Sequence, residues 1–428
     1  MACSMITCMP TPQASCSARA APGATSRGGG VVDFRESDEL AALRQQIRSW
    51  LKQNLPSGYG VPGYRGPHDP EERIREARAW QRKLFDAGWS GLSWPEEYGG
   101  RGFGILEQLV WSEEYARAWA PDMIMLAVGL DLTGPVLIQK GQPWQRERFL
   151  EKILNGEEVW CQGFSEPDAG SDLAALRCRG EVKGDEIIVT GQKIWTSFAQ
   201  HADWCILVVR TDPDLPKKHD GMTFLLCDMN TPGIDIRPLT EMTGEDWFNE
   251  VFFDSVRVPI DNVLGEIDKG WDVVINTLSH ERASAAPHAK LESELLLLRE
   301  LVKTLPYQGG VAADHPIVRQ KLARFTTEVL TLRVNAYRNA ETILRTGHPG
   351  PQGSLLKLGW SELDQQVKQF ACELLGPFGL LTAEDPRAVE KGHWNYELMW
   401  SRAASIYAGT SEIQRNIVAE RVLGLPRR

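Results

Sequence analysis

The chain has 428 residues, 42% of them hydrophobic and 24% charged, which suits about two or three globular domains. A formal net charge of -10 with no Lys/Arg block argues against non-specific nucleic-acid binding. No apolar run reaches the roughly 20 residues of a membrane helix, so no membrane insertion is predicted.

Residues 1–32 are rich in Ser, Ala, Thr, Pro and Gly and carry Arg19 and Arg27 with no acid before Asp33. Two readings fit, a disordered extension or an organelle transit peptide. The second would place the protein in an organelle matrix; otherwise it is expected in the cytoplasm. The eight cysteines form no C-x-x-C pair and the histidines no H-x-x-x-H spacing, so reduced thiols and no metal site are expected.

Residues 33–157 read as an N-terminal all-helical domain. Leu40, Leu43, Ile47 and Leu51 recur at helical spacing before Pro56, and further helical patterns cover 74–84, 105–119, 123–140 and 149–154. Gly58-Tyr59-Gly60-Val61-Pro62-Gly63 spells G-x-G-x-x-G, but a helix precedes it and a Pro interrupts it. A dinucleotide fingerprint needs a strand before it and a helix opening within it.

The period changes over 158–265. Short runs rich in β-branched and aromatic residues at 187–190, 204–210, 222–226, 234–237 and 251–258 alternate with Gly-Asp, Asp-Gly and Pro-Gly turns. They predict a small antiparallel barrel or sandwich, and the short spacers exclude parallel βαβ units. Helical periodicity returns over 266–428, with long helices at 271–305, 316–346, 354–375 and 396–423, a four-helix bundle. A capping box is read at Ser411-Glu412-Ile413-Gln414. The fold class is α+β: helical domain, β domain, helical bundle.

At the first joint lies Gln162-Gly163-Phe164-Ser165-Glu166-Pro167-Asp168-Ala169-Gly170-Ser171-Asp172. Its hydroxyls, rigid Pro and permissive Gly suit a loop that offers donors to a bound anion or ring, and equally an ordinary polar turn. Three further stretches stand at joints: Gly191-Gln192-Lys193-Ile194-Trp195-Thr196-Ser197, Val251-Phe252-Phe253-Asp254-Ser255-Val256-Arg257-Val258-Pro259 and Ile406-Tyr407-Ala408-Gly409-Thr410-Ser411-Glu412-Ile413-Gln414-Arg415.

From about Asp33 to the C-terminus, this layout and these stretches resemble the acyl-CoA dehydrogenase family of flavoenzymes. The resemblance implies FAD-dependent α,β-dehydrogenation of an acyl-CoA thioester to the trans-2-enoyl-CoA, with electrons passed to an electron-transfer flavoprotein. It implies that Gln162, Phe164 and Ser165 run along the flavin, that Trp195, Thr196 and Ser197 form another part of its site, and that Thr410 and Glu412 help hold FAD at a helix start. Ser171 is placed at the CoA portion or the pyrophosphate, and Ala408 and Gly409 at the substrate.

Two departures stand out. An Arg followed by a Phe-Gly pair is absent from 305–316, and Glu373-Leu374-Leu375-Gly376-Pro377-Phe378-Gly379 stands where the family has Gln-x-x-Gly-Gly-x-Gly. Glu373 and Gly376 are therefore the expected FAD contacts across a subunit interface.

Many members carry the catalytic Glu directly before Gly-Thr of the last motif, where this chain has Ala408, which cannot accept a proton. Isovaleryl- and long-chain-type members place it before an Arg on the first bundle helix, where this chain has Ser279-His280-Glu281-Arg282. Glu281 is thereby the expected α-proton acceptor and Arg282 a substrate contact; the competing reading is a solvated helix Glu. The expected assembly is a homo-oligomer, tetramer or dimer, or a heterotetramer with a paralogous subunit. A non-catalytic partner subunit and an oxygen-using oxidase-like relative are the alternative functions.

Overall fold

The computed structural model describes residues 36–67, 69–282, 286–347 and 350–427, except the side chains of 280–282 and 287. The expectations for 1–32 lie outside these residues.

The first helices are α1 (Asp38–Asn54), α2 (Pro70–Asp86) and α3 (Ile105–Arg117). Asp69 caps α2 by accepting from the Glu72 N–H at 2.8 Å, and Pro70, with no N–H to satisfy, occupies the first turn. Their apolar stripes meet in an aromatic cluster, with Trp89 stacked on Trp111 at 5.0 Å and Trp50 tilted against Trp80 at 5.5 Å. The G-x-G-x-x-G stretch is a turn-rich loop after α1 in which all three glycines have positive φ.

The pattern at 123–140 is α4 (Ile124–Ala127) and α5 (Gly134–Lys140) joined through a π turn, Val128–Thr133. Within that turn the Leu130 carbonyl accepts from the Trp94 indole N–H at 3.0 Å. A Cβ at Gly134 would lie 1.8 Å from the same indole, so only glycine fits there. Helix α6 (Pro143–Leu154) completes this part.

Next come β1 (Trp160–Gly163), β2 (Arg179–Lys183), β3 (Glu186–Lys193), β4 (Trp204–Arg210), β5 (Met222–Asp228), β6 (Ile234–Leu239) and β7 (Phe248–Pro259). They form one seven-stranded sheet in the order β1-β4-β2-β3-β7-β6, with β5 on the other side of β4. The sheet is mixed, which corrects the strictly antiparallel expectation: β1 runs parallel to β4 from Trp160↔Trp204 to Gly163↔Leu207, and β2 touches β4 in parallel at Arg179↔Arg210. The hairpin β2–β3 serves as the crossover, so no helix is needed. Ile206 and Val208 face the core beneath α6, while Leu207 and Val209 face a second core inside the curled sheet. Cys161, Cys178, Cys205 and Cys227 are free, buried thiols.

The C-terminal part contains α7 (Gly270–Arg282), α8 (Pro287–Leu301), α9 (Pro316–Thr346), α10 (Gly353–Leu375), α11 (His393–Ala404) and α12 (Ser411–Ile417). The single helix expected at 271–305 is two, because Pro287 cannot continue α7 and instead opens α8. The helix expected at 396–423 is also broken, since Ala408 (φ 53°) and Gly409 (φ 85°) leave helical space between α11 and α12. The residues from Asp38 onward form one compact unit. Among the described residues no helix is long and apolar enough to cross a membrane, and no group of acidic, His and Cys side chains could hold a metal.

Candidate active site

Strand β1 carries half-buried Gln162 and hands the chain at Gly163 to Phe164, which is buried edge-on to Phe224 at 5.8 Å. The turn that follows is fastened by one ion pair. Lys193, wholly buried at the end of β3, donates to the Phe164 carbonyl at 3.0 Å and to Glu166 Oε1 at 2.8 Å. Glu166 also accepts the backbone N–H groups of Arg177 (2.6 Å) and Cys178 (2.9 Å), so its buried carboxylate closes the far end of the loop. The Ile194 N–H donates to the Ser165 carbonyl at 2.9 Å, laying the two motifs side by side. Pro167, Asp168 and Ser171 are exposed at the tip, and Asp172 pairs with Lys218 at 2.7 Å. Glu166 and Lys193 lie inside the two motifs, which by themselves assign neither a role. A Lys in a strand whose pattern buries it was the available signal, since a buried cation needs a partner.

Beyond Lys193 the backbone turns sharply. Trp195 has φ 61° and is 60% exposed, an unusual state for a large aromatic residue. Thr196 is buried. Its N–H donates to the Asn249 carbonyl at 3.1 Å and its carbonyl accepts from the Asn249 side chain at 3.0 Å. The Thr196 hydroxyl is buried with no hydrogen-bond partner. Ser197 is half-buried, and Phe198 (φ 55°) donates to the Trp247 carbonyl at 2.8 Å. Trp195 meets the edge of Phe248 at 6.1 Å; Phe248 stacks on Trp400 of α11 at 6.3 Å, and Trp247 lies 5.1 Å from the same ring.

Helix α11 carries this contact to the last motif. Gln414 donates to the Ala408 carbonyl at 2.8 Å and Lys357 of α10 to the Gly409 carbonyl at 2.7 Å, which fixes the strained pair. Thr410 is the cap of α12, its hydroxyl accepting from the Ile413 N–H at 3.3 Å. This corrects the capping box expected to open at Ser411, one residue later, and Ser411 is instead buried in the first turn. Glu412 is exposed, and its pKa is lowered by its own N–H first and then by the Thr410 hydroxyl.

The remaining expected residues lie elsewhere. Glu373, in the last turn of α10, faces Lys321 at 3.4 Å, and Gly376 (φ 55°) ends the helix. Both line an open groove of about 570 Å³ together with Cys372, Leu380, Leu398 and Arg402. Where the Arg and Phe-Gly pair is absent, a short hairpin, β8 (Pro306–Tyr307) and β9 (Gly310–Val311), turns at Gln308 and Gly309. Glu281 and Arg282 form the end of α7, and their side chains lie outside the described residues.

Comparison with known proteins places this geometry. Models of the acyl-CoA dehydrogenase N-terminal, middle and C-terminal domains match residues 37–157, 161–256 and 268–423. The acyl-CoA dehydrogenase IpdE1 of Mycobacterium tuberculosis (strain ATCC 25618 / H37Rv) is 39% identical over 391 residues, covering 91% of this chain and 98% of its own. Isovaleryl-CoA dehydrogenase of Pongo abelii is 27% identical over 71% of this chain and 72% of its own. Among solved structures, the Tcur3481-Tcur3483 steroid ACAD superposes with a TM-score of 0.80 at 30% identity, covering 93% of this chain and 100% of that one. The ChsE4-ChsE5 complex from Mycobacterium tuberculosis gives the same values. Helical, sheet and helical parts in this order, with matches along nearly the whole chain, show that it belongs to the acyl-CoA dehydrogenase family of oxidoreductases, whose members are FAD-dependent flavoproteins.

Proposed function

We propose that the chain binds FAD against the Phe164–Ser165 and Trp195–Ser197 segments and dehydrogenates an acyl-CoA thioester between Cα and Cβ. The observation that carries this reading is the Thr196 hydroxyl, buried without a partner beside a strained, exposed Trp195. A flat ring with hydrogen-bonding edges fits both, covering the indole and satisfying the hydroxyl. The Thr410-capped start of α12 suits the anionic part of the same group. When bound, FAD supplies the acceptor for the β-hydride, and an electron-transfer flavoprotein takes the electrons onward.

The chain's own task is the α-proton. A thioester α C–H is a weak acid, so a positioned carboxylate is needed, and Ala408 has none to offer. Glu281 takes the proton, Arg282 orients the acyl-CoA, and the backbone at Ala408 and Gly409 meets the thioester oxygen. Gln414 and Lys357 hold that backbone in its left-handed turn. Ser171, exposed at the loop tip, is free to meet the CoA portion. Likeness to a structure described as a steroid ACAD favours a bulky acyl group. The test is Glu281→Gln. Flavin bleaching by acyl-CoA should slow about 10²- to 10⁴-fold; a near wild-type rate would refute the assignment.

A heteromer with a paralogous subunit is favoured by a specific feature. The 305–316 segment lacks the Arg and Phe-Gly pair, and two structures similar to this chain have paired names. Phe378, Leu380, Leu423 and Leu425 are exposed apolar side chains in the C-terminal part, suited to burial by a partner. Expressed alone, the chain should retain little flavin, and co-expression with the paralogue should restore it. A yellow, substrate-bleachable homo-oligomer would refute the heteromer.

A further inference from the structure

Helix α11 touches both halves of the proposed chemistry. From one face, Tyr396 donates to Glu245 at 2.6 Å, and Trp400 lies 5.1 Å from Trp247 and stacks on Phe248, the ring met by Trp195. From its C-terminal end the chain runs into the left-handed turn at Ala408 and Gly409. A shift of α11 along its axis therefore moves the aromatic wall behind Trp195 and the turn assigned to the thioester together. Val367 and Ala371 of α10 share one apolar core with Trp394 of α11. Apolar packing of this kind accepts rearrangement more readily than buried polar groups that must each find a partner.

Such groups link α10 to α11 at successive levels. Lys368 of α10, 2% exposed, meets Glu397 of α11 at 3.1 Å, Glu294 of α8 at 3.3 Å and Asp364 of its own helix at 2.7 Å. Its ammonium thus sits where three helices converge, with a carboxylate from each. Glu397 is buried too and also pairs with Lys290 of α8 at 3.1 Å. Farther along, Gln365 accepts from Arg402 at 3.0 Å and donates to the Ser405 hydroxyl at 3.0 Å. Last, Lys357 donates to the Gly409 carbonyl at 2.7 Å. Going down α10 from 368 to 357, the partners climb from 397 to 409, so the antiparallel register is written in charges and hydrogen bonds. Sliding α11 by one turn, about 5.4 Å, would strand Lys368 and Glu397 as unpaired buried charges. Fixing register is the best-attested use of buried ionic groups.

We propose that Lys368 and Gln365 are positioning residues for the dehydrogenation: they set the register of α11 on α10, and through it the placement of the Ala408–Gly409 backbone against the wall at Trp195. The proposal rests on the acyl-CoA dehydrogenase reading of the site. Proton and hydride leave neighbouring carbons of one substrate, so the thioester and the hydride acceptor must be held in one geometry, and a misplacement of about 1 Å costs roughly 10²-fold in rate. A contact that only stabilised the bundle would change how much protein is folded, not the rate per bound flavin.

Two variants test it in the assembly that holds flavin. Lys368→Met removes the buried ammonium. Gln365→Leu cuts the contacts to Arg402 and Ser405 and strands none of the buried carboxylates, so it decides alone should Lys368→Met not fold. The probe is whichever of butanoyl-, octanoyl-, isovaleryl- and cyclohexanepropanoyl-CoA bleaches the wild-type flavin fastest. At saturation, bleaching per bound flavin should slow about 10- to 100-fold in Lys368→Met and about three- to ten-fold in Gln365→Leu, with the dissociation constant of the thioester changed less than about three-fold. With no thioester present, amide exchange at Ile406, Tyr407 and Ser411 should quicken in both, because the first two donate to the Ala403 carbonyl and the third to that of Ser405. Unchanged exchange at these amides, a wild-type bleaching rate in Gln365→Leu, or a loss confined to the dissociation constant overturns the proposal. Quickened exchange in a protein that none of the four thioesters bleaches supports the register and refutes the dehydrogenation reading. Wild-type bleaching rates in the variants refute the positioning role and leave that reading intact.

Discussion

Lys193→Met isolates the fastening of the Phe164–Cys178 loop. The substitution keeps an unbranched stem and removes the ammonium, which deletes the bonds to the Phe164 carbonyl at 3.0 Å and to Glu166 at 2.8 Å. It leaves the buried Glu166 carboxylate facing only the N–H groups of Arg177 and Cys178. Removing one partner of a buried ion pair costs about 3–5 kcal/mol, and the two surviving donors place this case near the lower figure. The loss should be concentrated in residues 164–178 and 194–198, because the Ile194–Ser165 bond is their next connection. Urea unfolding measures the global part, and retention of flavin absorbance through gel filtration, in the assembly that holds flavin, measures the local part. Lys193→Met with Glu166→Gln should recover part of the loss, since the stranded charge is then gone while the amide oxygen still accepts from the 177–178 backbone. A Lys193→Met protein within about 0.5 kcal/mol of wild type that keeps its flavin would refute the reasoning, as would a double variant whose losses simply add.

Two other predictions concern different parts of the chain. At Glu113 desolvation favours the protonated carboxyl, but the His288 hydrogen bond and the Arg333, Arg44 and Arg117 guanidiniums outweigh it and lower the pKa from 4.5 to about 2. A depressed carboxyl pKa contributes stability above pH 4.5 that disappears as pH falls toward 2, roughly 3 kcal/mol in all. Glu113→Gln should flatten the stability profile between those limits, and an unchanged acid slope in urea titrations would count against it. Thr410→Val removes the cap of α12 at a cost of about 1 kcal/mol. Faster hydrogen exchange at the Ile413 amide is the expected signature, and unchanged exchange would exclude the cap as the fastening of that turn.

The long periodic segments were legible because one residue pattern decides them. The 316–346 helix and the 204–210 strand coincide with α9 and β4. Strands β1 and β2 were missed, since they are short and their pairing with β4 comes from distant residues. The start of a new helix at Pro287 and the left-handed turn at Ala408 and Gly409 were hidden by apolar periodicity that runs through them, with Pro287 and Gly409 the unread signals. Motif residues such as Trp195 and Thr410 were readable through the family resemblance, whereas their supports were not. The burial of Lys193 and the missing partner of Thr196 depend on contacts between segments far apart in sequence.

The parallel seating of β1 has a kinetic meaning. The loop at 164–178 leaves β4 at Gly163↔Leu207 and returns to it at Arg179↔Arg210, so both its ends are clasped by one strand that is synthesised later. The loop cannot take its final shape until the chain has passed Arg210, and its closure waits on pairings of long sequence separation, the slow kind. The core beneath α6 also waits on Ile206 and Val208 of β4, so the helical part and the loop are completed together. On the function proposed above, cofactor capture follows the pairing of β1 and β2 with β4.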